Sequence, residues 1–178
     1  MWPEDDFEVW ESLQLFDFPQ TKKTPEAQPL ETGLPLTSAL LGAKKHGQLV
    51  SVETVDGRGW DVGIRAVGKT WFSGETRNPH RGVIFTAHSV VEFRCGAGAE
   101  VDGRALDVSL SRAMSASARH RPAVRITTTK SSRDGIVQEL GADYLTVSRR
   151  SLVGQGSVVV VPFSQLVAVE FLEPGDIS

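Results

Sequence analysis

Leu36, Leu40 and Ala43 recur at the spacing of one helical face, with Thr37 or Ser38 placed to cap it. The spacing predicts a short helix ending near Lys44-Lys45, where cations suit the negative end of the helix dipole. After it the apolar period changes from about four to two. Val50 and Val52 lead to an Asp56-Gly57 turn; Val62, Ile64 and Ala66 alternate; Gly68 turns the chain into Trp71-Phe72; Val83/Phe85 and Val91/Phe93 close the series. A second series follows. Leu106, Leu110, Ala113 and Met114 mark a helical face that Asp107 can cap. Strands are then predicted at Val124/Ile126, Ile136–Leu140, Tyr144–Val147, Ser157–Phe163 and Leu166–Leu172.

The two series are related. Val83-Ile84-Phe85-Thr86-Ala87-His88-Ser89-Val90-Val91-Glu92-Phe93 matches Val161-Pro162-Phe163-Ser164-Gln165-Leu166-Val167-Ala168-Val169-Glu170-Phe171 at five of eleven positions, 78 residues apart. Further back, Val67 to Phe72 aligns with Leu140 to Leu145, Val50-Ser51-Val52 with Val124-Arg125-Ile126, and Leu36, Ala39, Leu40 and His46 with Leu110, Ala113, Met114 and His120. The order is collinear and implies a duplication. The organisation expected is an acidic arm and linker over 1–33, a first unit over 34–94, a glycine-rich linker over 95–107, a second unit over 108–172 and a tail over 173–178. The class is mainly β, with each set of short strands preceded by a short helix. Strands this short and closely spaced suggest small bent barrels.

Charge divides the chain unevenly. The net charge is −3, yet residues 1–33 carry eight acids against two lysines, leaving the remainder mildly basic at +3. That surplus is too small for binding to nucleic acid by bulk electrostatics. One cysteine, Cys95, excludes an internal disulfide framework and fits a reducing compartment. No apolar run approaches the ~20 residues of a membrane span, and the acidic opening is unlike a secretory signal. The expectation is a cytoplasmic protein with no membrane partner.

The order of helix, strand, Asp-Gly turn, glycine-centred strand, aromatic strand, and Val-Pro-Phe-Ser-x-Leu-Val-Ala-Val resembles the Sm/LSm-like small barrels of the wider SH3-type class. Both units together, about 126 residues of 178, carry the resemblance. The layout is also similar to bacterial proteins with two such barrels behind a variable N-terminal arm. The resemblance implies two tandem Sm-like barrels and association with RNA. The family's base pocket uses an Asp, an aromatic and an Asn. Aligned on the aromatic, this chain has Lys69, Trp71 and Ser73, then Ala142, Tyr144 and Thr146. The pocket set is therefore not carried over.

Candidate nucleic-acid contacts are the loop cations Arg77, His80 and Arg81 and, in the equivalent loop, Arg149 and Arg150. Arg119 and Arg121 follow the second helix. Trp60 or Trp71, if exposed, would stack a base. The alternative is a protein-interaction adaptor. Phe7, Trp10, Leu13 and Phe16 lie among six acids and no base over Glu4–Phe18, an acidic-aromatic docking segment. Exposed strand edges offer a route to homo-oligomers. Gly63 to Thr70 satisfies Gly-x4-Gly-Lys-Thr, but the phosphate loop needs a helix after it and here Trp71-Phe72 reads as strand. His46, His80, His88 and His120 show no metal-ligand spacing, and no nucleophile elbow is present. The sequence thus predicts a non-enzymatic binding module with no catalytic residues, no metal and no cofactor.

Overall fold

The computed structural model describes residues 36–96, 103–118, 122–148 and 157–173. Helix α1 (Leu36–Lys45) precedes β1 (Leu49–Thr54), β2 (Gly59–Val67), β3 (Trp71–Arg77), β4 (His80–Thr86) and β5 (Val90–Arg94). Helix α2 (Leu110–Ala118) precedes β6 (Ala123–Thr128), β7 (Ser132–Leu140), β8 (Tyr144–Ser148), β9 (Val158–Pro162) and β10 (Leu166–Phe171). A one-turn 3-10 helix joins β4 to β5 (Ala87–Ser89) and β9 to β10 (Phe163–Gln165).

The β class and the helix before each strand set are as expected. The two sets are not separate sheets, however. All ten strands form one antiparallel sheet in the order β5-β1-β2-β3-β4-β10-β6-β7-β8-β9, open at β5 and β9. The order 5-1-2-3-4 of the first half recurs as 10-6-7-8-9, and β4 joins β10 through Phe85↔Ala168, Ile84↔Val169 and Val83↔Glu170.

Local signals account for the turns. Asp56-Gly57 makes the predicted tight turn, with Gly57 at φ 78°. Gly47, at φ 59°, ends α1: Gln48 N–H donates to Ala43 C=O and Gly47 N–H to Lys44 C=O, the Schellman pattern. The expected caps differ. Thr37 and Ser38 lie inside α1. Ser109 caps α2 by accepting from the Arg112 N–H at 3.2 Å, while Asp107 turns away to Lys69 at 2.6 Å. Two residues nearer the helix start, Ser109 is the side chain that reaches a free N–H.

Two apolar clusters lie on opposite faces of the β4–β10 seam, and each borrows from the other half. Val167 and Ala168 of β10 pack with Leu40, Trp60, Val62, Phe72, Val83 and Phe85. Trp71 and Ile84 of the first half pack with Leu110, Met114, Val124, Ile126, Leu145 and Val169. All of β10 is consequently buried. Trp71 Nε1 donates to the Val108 carbonyl at 2.8 Å, and Leu106 N–H donates to Val67 C=O at 2.8 Å. The segment expected as a free linker is therefore pinned, at Leu106–Val108, beneath the β2–β3 turn. Trp60 and Trp71 are both buried, so neither is available to stack a base.

The hydrogen-bond registers also correct the repeat alignment. Ala87 N–H donates to Thr70 C=O, and Phe163 N–H donates to Asp143 C=O. Val90 pairs with Thr54 as Leu166 pairs with Thr128. Ala87 thus corresponds to Phe163, 76 residues on, rather than the 78 that residue identity suggests. Glu170 corresponds to Arg94, not to Glu92. A slip of two keeps every side chain on its face, so alternation alone cannot detect it.

Candidate binding surfaces

Arg77, Asn78, Pro79 and His80 form the β3–β4 turn. Thr76 Oγ1 braces it by donating to the Pro79 carbonyl at 2.5 Å and accepting from the Arg81 N–H at 3.1 Å. Arg77 and His80 are exposed; His80 Nε2 lies 3.5 Å from Glu75 Oε2. Arg81 points the other way. Its side chain is only 13% exposed and sits 3.8 Å from Glu170 on β10. Of the three cations expected to meet phosphate, the structure presents two to solvent and commits the third to the seam. Arg119, Arg121, Arg149, Arg150 and the arm residues Phe7, Trp10, Leu13 and Phe16 lie outside the described residues.

Glu170 is the centre of a charged group that sequence reading missed. It is 4% exposed, with Arg58 at 3.5 Å on one carboxylate oxygen and Arg81 at 3.8 Å on the other. Arg58 also lies over the Trp60 ring, 4.5 Å from its centroid, and its Nη1 is 3.4 Å from Thr127 Oγ1. Beside them Arg125 grips Asp134 with two hydrogen bonds of 2.7 and 2.8 Å. Those bonds, helped by the charges of Arg125 and Arg81 and opposed by partial burial, hold the Asp134 carboxyl below its ordinary value. Arg58, Arg81 and Glu170 are far apart in the chain, and only the β4–β10 pairing brings them together.

The second half holds an open cleft of about 1130 Å³ between the β6–β7 turn and β9. Its walls include Arg125, Lys130, Arg133, Asp134, Val159 and Val161. At its rim lies the free edge β9, where Val158 and Val160 are 60% and 58% exposed. The other free edge, β5, shows Val91 at 64%. The other exposed large apolar side chains among the described residues are Leu49 on β1 and Val55 just after it, at 44% and 46%.

Gly63 to Thr70 is β2 followed by a turn into β3, and no helix N-terminus follows the glycine to cradle a phosphate. Lys69 is paired with Asp107. Among the described residues no three His, Cys, Asp or Glu side chains gather as metal ligands, and no helix is long and apolar enough to cross a membrane.

Comparison with known proteins finds no matching family model, no matching curated protein and no matching solved structure.

Proposed function

We propose that this protein is a non-enzymatic binding module, and that its partner is a protein held at the edges of the sheet. The reading treats the recurrent strand order as a duplication of an Sm-like small barrel, the two barrels fused edge to edge through β4 and β10. The observation that carries it is the exposure of Val91 on β5 and of Val158 and Val160 on β9, the two end strands of the sheet, each paired with only one other strand among the described residues. An edge of this kind binds another strand by completing its ladder, with the apolar side chains adding affinity. The acidic-aromatic segment around Phe7, Trp10, Leu13 and Phe16 is a second docking element on this reading, and the setting is the cytoplasm.

One observation favours RNA as a second reading: Arg77 and His80 stand exposed together on the β3–β4 turn. Arg149 and Arg150 occupy the corresponding stretch of sequence in the second half, and Arg119 and Arg121 add to the set. The charge balance and the internal commitment of Arg81 put this behind protein binding.

Ultraviolet crosslinking in cells, followed by stringent purification with and without RNase, separates the two. The proposal expects a protein partner that survives nuclease and is lost on Val91→Lys or Trp10→Ala. Crosslinked RNA that disappears with Arg77→Ala and Arg149→Ala, with no such protein, would replace it.

A further inference from the structure

The N-terminal arm contains a copy of the strand that fills the seam. We infer that residues 13–18 pair with β9 of the same chain as an added strand and place their apolar and acidic side chains in the cleft beside it. This goes beyond the protein-partner reading and does not rest on it. With the arm in place β5 stays open to a partner, and a partner must displace the arm to reach β9.

Leu13-Gln14-Leu15-Phe16-Asp17-Phe18 reads against β10, Leu166-Val167-Ala168-Val169-Glu170-Phe171, with identical residues at both ends and acid for acid at the fifth position. Leu15 and Phe16 stand for Ala168 and Val169, apolar for apolar, and only Gln14 departs. These six arm residues lie outside the described ones. β5, which holds the place of β10 in the first half, is the poorer copy, because Arg94 stands where β10 has Glu170.

β9 holds in the second half the place that β4 holds in the first. In the first half the space bounded by Arg58, Trp60, Val83 and Phe85 receives Val167, Ala168 and Glu170 of β10. The corresponding residues in the second half are Ser131, Arg133, Val159 and Val161, and all four line the open cleft of about 1130 Å³. Copying the β4–β10 register sets Leu15, Phe16 and Asp17 opposite Val161, Val160 and Val159. Opposed residues of an antiparallel pair share a face. Leu15 and Asp17 therefore enter the cleft. Phe16 covers Val160, which is 58% exposed where its counterpart Ile84 is buried.

The charges match. Residues 4–18 hold six acids and no base. In the cleft Arg125 is engaged with Asp134, which leaves Lys130 and Arg133 as cations that no acid among the described residues holds. Asp17 takes the place of Glu170. Beside it Ser131 and Ser157 replace Arg58 and Arg81, and Arg133 replaces Trp60. Two hydroxyls and a cation thus receive the carboxylate. The connection is long enough. Residues 19–35 join the segment to α1, which packs on β2, seven strand positions from β9. Seven strand spacings come to about 34 Å, and seventeen extended residues reach about 56 Å.

The tests use the full chain. Hydrogen exchange read by mass spectrometry compares the wild type with Phe16→Lys, a change outside both apolar clusters. In the wild type the amides of residues 13–18 and of β9 should exchange slowly. Phe16→Lys should speed both by about tenfold or more and leave β5 unchanged. Arm amides that exchange like an unstructured peptide in the wild type, or β9 protection indifferent to the substitution, overturn the inference. Disulfides in a Cys95→Ser background then read register and path. Asp17→Cys and Val159→Cys in one chain should give an intrachain bond on mild oxidation. Mixing the two single variants at the same concentration should give no disulfide-linked heterodimer. Absence of the intrachain bond overturns the pairing, and a linked heterodimer overturns its assignment to the same chain. If the arm tests fail while a nuclease-resistant partner is still lost on Val91→Lys, this pairing alone is overturned and the partner reading stands.

Discussion

Among the described residues Glu170 is the one charged side chain withdrawn almost fully from water; two arginines from the other half of the chain offset part of the cost, while its Oε1 is buried without a hydrogen-bond partner. Removing the more buried arginine leaves Glu170 with Arg58 alone, a partial loss of compensation that costs up to about 3 kcal/mol. Arg81→Ala is therefore expected to lower stability by up to that much in urea unfolding, while Arg77→Ala, on the exposed side of the same turn, changes it by less than about 0.5 kcal/mol. Equal effects would mean that Arg81 does not serve the seam. Asp134 gives a pH signature. Its carboxyl is held below the ordinary value by Arg125, so its contribution is complete above the unfolded-state value of about 4 and is lost as pH falls through the folded one. Asp134→Asn should destabilise the chain near neutral pH, and the difference from wild type should shrink as pH drops below about 4. A difference that stays constant with pH would refute the assignment. Neither role was legible in the sequence. Arg81 reads like its neighbours in a basic loop, and only the hydrogen-bonded pairing shows that it faces Glu170, 89 positions away.

At the scale of elements most of the pattern could be read directly, because period-two alternation and Gly turns are local signals. All ten strands overlap stretches read as strand from the sequence, although β3 holds neither valine nor isoleucine and is signalled by Trp71-Phe72. What remained hidden was register and the inserted irregularities. β2 and β7 each carry a bulge at the same relative place, between Ile64 and Ala66 and between Val137 and Glu139. Next to it the two halves solve one packing problem in opposite ways. Gly74 on β3 lies against Val62 on β2, whereas Gly135 on β7 lies against Val147 on β8. The corresponding positions hold a glycine and a valine in exchanged strands. A Cβ at Gly74 would stand 2.5 Å from Val62 Cγ1 and 2.4 Å from the Gly63 carbonyl oxygen; one at Gly135 would stand 2.3 Å from Val147 Cγ1. Gly74→Ala and Gly135→Ala should each cost about 1–3 kcal/mol through overpacking. Val147→Ala should recover part of the Gly135→Ala loss, since Val147 Cγ1 is its nearest obstacle, while the Ser148 carbonyl oxygen at 2.7 Å stays in place. Chemical denaturation of the two single variants and the double checks this; strictly additive losses would show that the exchange of volumes is not the constraint.

For the whole molecule, the sequence showed two units and the structure shows why they do not behave as two. A duplication predicts halves, each with its own core. A strand shared at the centre of one sheet predicts a single body. The second outcome follows from which faces β4 and β10 present. Ile84 and Val169 point into one cluster, Phe85 and Ala168 into the other, so each cluster is completed by side chains across the seam. Thr86 and Ser89 reinforce it by donating to the Leu166 and Val167 carbonyls at 2.6 and 3.2 Å. If this sharing sets the cooperativity, the covalent link matters little once the chain has folded. A protease site placed between Gly96 and Gly103 and then cut should leave both fragments in one particle, with a single unfolding transition seen by circular dichroism and by tryptophan fluorescence. The second probe is sharp once Trp2 and Trp10 are replaced by phenylalanine, because the remaining Trp60 and Trp71 belong to different clusters. Melting the second half alone would expose Trp71, while Trp60 would lose only its cluster contacts with β10, giving two phases in fluorescence. Fragments that separate without denaturant, or two phases in the uncut chain, would show that the seam is a contact between independent domains. One phase in both would show that burying each half's aromatic and β-branched side chains in the other half has made the two units one folding unit.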